Sequence, residues 1–272
     1  MKLIIAATDF STVATNAVNY SCNLALTNNA RIVVINSFAF PVMFSDLPLP
    51  AAMIDDTQTD AEERMNEQIA DLKDLYPNLD ISGKVIYGNI IDAIDEYTLN
   101  GISPWLVVVG NSNTITDNAW FESTLKDASK AISFPLLAVP PEAIYKPVRK
   151  MCLAFDNNPR GNAMALVQLR ELAMEVNAEL HVLTVQNKEN GNVTDTATKD
   201  LLAVVSPQFH NTHEADTDDA ILKFNIANSI DWLVMIPRIH SFFEGLFHKS
   251  HTKAVSQHSN IPVLMLHEQN EK

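Results

Sequence analysis

Residues 105–140 read WLVVVGNSNTITDNAWFESTLKDASKAISFPLLAVP, and residues 232–267 read WLVMIPRIHSFFEGLFHKSHTKAVSQHSNIPVLMLH, the same architecture written twice. Laid over each other without a gap, Trp105 falls on Trp232, Gly110 on Pro237, Ser123 on Ser250 and Pro135 on Pro262, at a constant offset of 127 (232 − 105). An offset that needs no insertion over this length is hard to obtain by chance. The chain is therefore expected to fold as two copies of one unit.

Each copy is an apolar run, a polar loop, a helical stretch and a second apolar run entered through a proline. Runs such as LVVV and LLAV, apolar at every position, suit strands covered on both faces, as in a parallel sheet under helices. A loop that leaves the C-terminal end of such a strand and enters a helix is where α/β proteins hold phosphates, because backbone N–H groups and the helix dipole converge there.

The rest of the chain completes two rounds of alternating strands and helices. KLIIAATDFS gives a strand ending at Asp9, with Ser11 as N-cap of the helix TVATNAVNYSCNLALTN. RIVVINSF is the next buried strand, followed by a proline-broken apolar loop, Phe38 to Met53. An amphipathic helix is expected from about Asp55 to Leu75, then a half-exposed strand DISGKVIYG and a helix NIIDAIDEYTLN. In the second round RKMCLAFD ends in Asp156 as the first strand ends in Asp9, and VNA at Val176 to Ala178 answers NNA at Asn28 to Ala30. A helix, the strand AELHVLTV, a shorter helix, a strand near PQFHNTHE and the helix DDAILKFNIAN follow. The expected fold is α/β, two tandem doubly wound, Rossmann-like five-stranded parallel-sheet domains, residues 1–145 and 146–272.

Composition narrows the partners. A formal charge of −14 over 272 residues argues against nucleic acid, whose phosphates are held by clustered Lys and Arg. No apolar run reaches the roughly 20 residues of a membrane span, and the N-terminus enters a strand without a signal-peptide pattern, so a cytoplasmic location is expected. Cys22 and Cys152 fall among apolar residues with no spacing for metal or disulfide work and read as small core residues.

With these residues in view, the chain resembles the tandem form of the universal stress protein family, across nearly its whole length. The resemblance rests on TDFS after the first strand, its echo FDNN in the second half, VVVG at a strand end, and the final strands SFPLLAVP and SNIPVLML. It implies an adenine-nucleotide alpha hydrolase-like fold, no catalysis, and ATP or another adenine nucleotide as ligand, with nucleotide-bound Mg as the only metal. Nucleotide-binding members share a motif of Gly, two residues, Gly, nine residues, Gly, then Ser or Thr. Carried over, it falls on Gly110, Asn113, Ser123 and Thr124, so that only the first and last positions fit. Asn113 still reaches the left-handed region at modest cost, and Ser123 suits a helix cap. The same resemblance sets Asp9 near adenine or ribose, Ala7 and Ser37 along the base pocket, and Val109 and Leu125 beside the phosphate loop. In the second copy the motif falls on Pro237, His240, Ser250 and His251. Proline has no N–H to offer a phosphate, so a nucleotide is expected in the first domain only.

Competing readings stay open at several points. Asp9 and Asp156 are ligand carboxylates, or residues that end a strand and cap the next helix. Arg238, His240, His248, Lys249, His251 and Lys253 form an anion site made of side chains, or a solvated helix start. The apolar loop covers a pocket, makes a homodimer contact, or folds back on its own domain. Trp105 and Trp232 read as core residues that begin buried strands. The strands PLLAV and PVLML are expected to pair with each other as an intramolecular pseudo-dimer, which removes two exposed edges. No Gly-x-Ser-x-Gly or Walker sequence is present. The rival functions are a scaffold with both nucleotide sites lost, and a slow nucleotide hydrolase.

Overall fold

The computed structural model describes residues 1–38, 51–99, 101–111, 132–155, 163–185, 196–212, 217–236 and 260–267. The chain packs as two compact units, Met1–Gly110 and Asn111–Lys272.

The first unit holds β1 (Lys2–Thr8), α1 (Thr12–Asn28), β2 (Ala30–Phe38), α2 (Ala51–Leu75), β3 (Ile81–Tyr87), α3 (Ile90–Thr98) and β4 (Leu106–Gly110). Its strands lie in the order β3-β2-β1-β4 and run parallel. Ile4, Ile5, Val34, Ile35, Leu106, Val107 and Val108 are buried without alternation, as strands covered on both faces must be. Helix α1 begins where the sequence places it, with Ser11 Oγ accepting the Ala14 N–H at 3.2 Å, and it ends on left-handed Asn29. Helix α2 starts earlier than expected: Ala51 to Met53, assigned from sequence to the apolar loop, form its first turn. Alanine and methionine favour helix, and the last proline of the loop, Pro50, precedes them.

Two glycines let helices lie close to this sheet. A Cβ on Gly83 would come 2.5 Å from Met65 Sδ of α2, and one on Gly110 would come 2.9 Å from Val13 Cγ1 and 3.0 Å from Val13 O of α1. The register sets Gly83 opposite Val34, Val34 opposite Ala6, and Ala6 opposite Val108, so Gly83 and Gly110 share a face and α1 and α2 cover it together. Tyr76 at the end of α2 closes the seam, its hydroxyl bonded to Asn19 and Asn23 of α1. The chain then turns back past β1 to form β4, and a right-handed crossover carries α3 over the other face.

The second unit holds β5 (Leu136–Val139), β6 (Lys150–Phe155), α4 (Ala163–Val176), β7 (Glu179–Val185), α5 (Thr196–Leu202), a short 3-10 turn (Ala203–Val205), β8 (Gln208–Thr212), α6 (Thr217–Asn228), β9 (Trp232–Met235) and β10 (Val263–Met265). Its order is β5-β10-β9-β6-β7-β8. All pairs are parallel except β5 with β10, where Leu136, Leu137 and Ala138 face Met265, Leu264 and Val263. PLLAV and PVLML thus pair as expected, and all of these residues are buried. The fold is α/β with a mostly parallel sheet, five strands to each repeat.

Register refines the gapless alignment. Left-handed Asn29 and Asn177 end equivalent helices at an offset of 148 (177 − 29). From there Arg31 pairs with Leu3 and Glu179 with Lys150, so Ile4 corresponds to Met151. Ile4 lies opposite Leu106, and Met151 opposite Trp232. Trp232 therefore occupies the place of Leu106 in the sheet, and Trp105 stands one residue earlier. The loop before the strand differs in length as well, by two residues. From left-handed Gly101 to Leu106 is five residues (106 − 101), and from left-handed Ser229 to Trp232 is three (232 − 229).

Candidate functional site

In the first unit the chain runs from β1 out to β2 and β3, then returns to the other side of β1 for β4. The switch point of the sheet is the gap between the C-terminal ends of β1 and β4, where neighbouring loops part and leave a crevice. Asp9 follows the last residue of β1, and Gly110 is the last residue of β4.

The turn after β1 is held by its own side chains. Asp9 is exposed, and its Oδ1 accepts the Ser11 N–H at 2.9 Å, while Thr8 Oγ1 accepts the Phe10 N–H at 3.0 Å. Phe10 between them has φ of 63°, a left-handed conformation uncommon for a bulky residue. Arg64 of α2 lies 4.5 Å from the centroid of the Phe10 ring. Beneath the turn, Asn36 of β2 is buried and its Nδ2 donates to Thr8 O at 2.8 Å, tying the ends of β1 and β2 together.

The other expected residues gather around this end. Register sets Ala7 opposite Ile35, with Ser37 two residues on, while Val109 follows Val108, the partner of Ala6. By alternation Ala7, Ser37 and Val109 project on one face and Gly110 on the other. Ala7 and Ser37 are half-buried and Val109 is buried. Gly110 has a packing reason of its own in the approach of Val13. Next to it, the Asn111 N–H donates to Val139 O at 2.8 Å. Asn113, Ser123, Thr124 and Leu125 lie outside the described residues, as do Asp156, Pro237 and the whole basic segment His240 to Lys253. In register Ile236 rather than Pro237 takes the place of Gly110, and neither is glycine.

Arg64 escapes a reading of the sequence. It sits on the charged face of an amphipathic helix, and no local pattern distinguishes it from its neighbours. The cysteines behave as read: burial pushes both the Cys22 and the Cys152 thiol up to about 12, which leaves them neutral and unreactive. Among the described residues no group of three or more His, Cys, Asp or Glu is placed to hold a metal, and no helix is long and apolar enough to cross a membrane.

None of the curated proteins matches this chain. Among solved structures, a universal stress protein from Archaeoglobus fulgidus DSM 4304 is similar over 98% of both chains, with a TM-score of 0.69 at 15% identity. A functionally unknown protein from Pseudomonas aeruginosa PAO1 is similar over 98% of this chain and 93% of its own, with a TM-score of 0.54 at 15% identity. A universal stress protein in complex with cAMP aligns over its whole length with 46% of this chain, at 17% identity and a TM-score of 0.35. The first two likenesses speak to the fold. The sequence itself matches the universal stress protein family twice, over residues 1–140 and 147–267, and the chain belongs to that family.

Proposed function

We propose that this chain is a non-catalytic stress-response protein, cytoplasmic, that holds one adenine nucleotide such as ATP or AMP, in its first domain. The observation that carries the reading is the meeting of Asp9, Ala7, Ser37, Val109 and Gly110 at the switch point of the first sheet. The ribose and base would lie along Asp9, Ala7 and Ser37. The phosphates would enter the loop that begins at Gly110 and carries Asn113, Ser123, Thr124 and Leu125. Mg enters only with the nucleotide. The second domain has no glycine at the equivalent strand end, so its loop offers no matching cradle. Domain limits of 1–145 and 146–272, and a homodimer through the apolar loop, belong to the same reading.

A thermal-shift titration with ATP, AMP and cyclic AMP tests it. A ligand at 100 times its dissociation constant stabilises the fold by about 2.7 kcal/mol, and Asp9→Ala should weaken the shift. Release of product over hours would make the chain a slow hydrolase instead.

One observation favours a second reading, a partner-binding scaffold with both sites lapsed. Gly110 is already accounted for by Val13, and Asp9 Oδ1 by the Ser11 N–H. No shift with any of the three nucleotides would decide for the scaffold.

A further inference from the structure

The second unit holds a pair of histidines, one buried and one half-buried, that the nucleotide reading does not use. His181 of β7 is 3% exposed, and its Nδ1 lies 3.0 Å from Nε2 of His210 on β8. The rings stack at 17° with centroids 5.2 Å apart. Phe224 of α6 closes the face, its ring 6.1 Å from His181 and 4.7 Å from His210. Three elements therefore meet on two imidazoles, and β8, the end strand of its sheet, is fastened at its centre by one of them.

The surroundings suit neutral rings. A pair at this distance needs one nitrogen with a proton and one without. Protonating both would set two N–H groups against each other with no acceptor and would put two charges side by side. From β6, Lys150 projects on the same face and adds positive charge, while Cys152 is a neutral thiol. From β7 itself, Glu179 Oε2 stands 4.0 Å from His181 Nε2 and would welcome a proton there. Helix α6 contributes the uncharged Phe224, and its ionisable residues are Asp218, Asp219 and Lys223. Among the described residues His181 Nε2 has no hydrogen-bond partner, so a charge on that ring would be poorly solvated.

We propose that the His181–His210 pair is an acid-operated latch, which holds β8 and α6 on the sheet of the second unit while both rings are neutral and releases them when the pair is protonated. Burial pushes both rings below the ordinary histidine range, and for His181 the neighbouring His210 and Lys150 outweigh the opposing pull of Glu179. The folded state thus binds fewer protons than the unfolded chain. The latch is fully closed above the unfolded histidine value of about 6.5 and weakens as pH falls from there toward the folded values.

The first repeat supplies the control. By the offset of 148 His181 stands where that repeat has Val33, which is 1% exposed, so His181→Val replaces the latch with the residue the fold already uses there. Urea unfolding of the full chain and of His181→Val is compared between about pH 7.5 and about pH 5.5, so that the six other histidines cancel in the difference. The unfolding constant of the parent should rise relative to the variant by up to about tenfold per pH unit for each proton excluded. Hydrogen exchange in 208–212 and 217–228, corrected for intrinsic rates, should quicken at the lower pH in the parent alone. Equal pH dependence in parent and variant overturns the proposal. Should His181→Val fail to fold, the ring resonances of the parent decide: neutral rings down to about pH 6 support the latch, and protonation at or above about 6.5 overturns it.

Discussion

The two repeats share a chain path and differ in how they fill it. In the first, the sheet is dry where α3 covers it, with Val33 in the middle of β2, and its polar contacts are gathered at the strand ends, where Asn36, Thr8, Asp9 and Ser11 fix one turn. In the second, polar groups also lie inside: His181 and Asn225 are buried, with side-chain atoms that find no partner among the described residues. Buried polar atoms cost stability that apolar residues would not. One fold thus carries a repeat whose sheet keeps its polar contacts at the rim and a repeat that holds histidine and asparagine side chains within. The contrast has measurable consequences.

The largest effect separates the tryptophans. Trp232 is 0% exposed and stands in the sheet where the first repeat has Leu106, whereas Trp105 is half-buried with Lys2 Nζ 4.4 Å from its ring centroid. Trp232→Ala should cost about 4 kcal/mol, the range for a large aromatic removed from a core. Trp105→Ala should cost about 2 kcal/mol, since less area leaves water on folding. Equal costs in urea unfolding would mean that the two residues are equivalent and the one-residue slip is wrong.

Gly110→Ala probes the rim. The added methyl would meet Val13 O at 3.0 Å, a backbone atom that yields only if the start of α1 moves, so a loss of about 1 to 3 kcal/mol is expected. Ile236, at the equivalent place, should accept alanine for about 1 kcal/mol or less, because it is only half-buried. Comparable losses at both positions would erase the distinction between the rims.

Much of this difference is legible in the residues alone, and some is not. The duplication, the strand-helix alternation, the Ser11 cap and the β5 to β10 pairing all leave local marks: apolar runs, a capping serine, prolines at fixed places. The slip between Trp105 and Trp232 leaves none, because each tryptophan stands at the head of an apolar run. Gly110 reads as a phosphate residue, and only three-dimensional packing brings Val13 to it. The histidine pair is equally hidden. His181 and His210 are 29 residues apart, each in an unremarkable strand, and meet only through register.

Smaller effects follow at the ends of β2 and β7. Asn36 and Thr184 are equivalent at the offset of 148, yet Asn36 Nδ2 bonds Thr8 O at 2.8 Å while Thr184 Oγ1 has no partner among the described residues. Asn36→Ala should therefore cost about 1 to 3 kcal/mol, the penalty of an abandoned buried carbonyl. Thr184→Val should change stability by about 1 kcal/mol or less, and in the favourable direction, since a buried hydroxyl is replaced by a methyl of the same shape.

The smallest expected effect is at the first turn of α1. Ser11→Ala removes the acceptor for the Ala14 N–H and should cost about 1 kcal/mol. The backbone bond from Thr15 N to Ser11 O at 2.8 Å is untouched, and Asp9 Oδ1 still receives the N–H of residue 11, so the turn keeps its shape. This separates stability from binding. If a nucleotide uses Asp9 and the Gly110 loop, the variant should melt earlier yet retain the full nucleotide-induced shift. Loss of that shift along with the cap would mean that Ser11 itself touches the ligand, and the crevice would then extend from the strand ends onto the first turn of the helix.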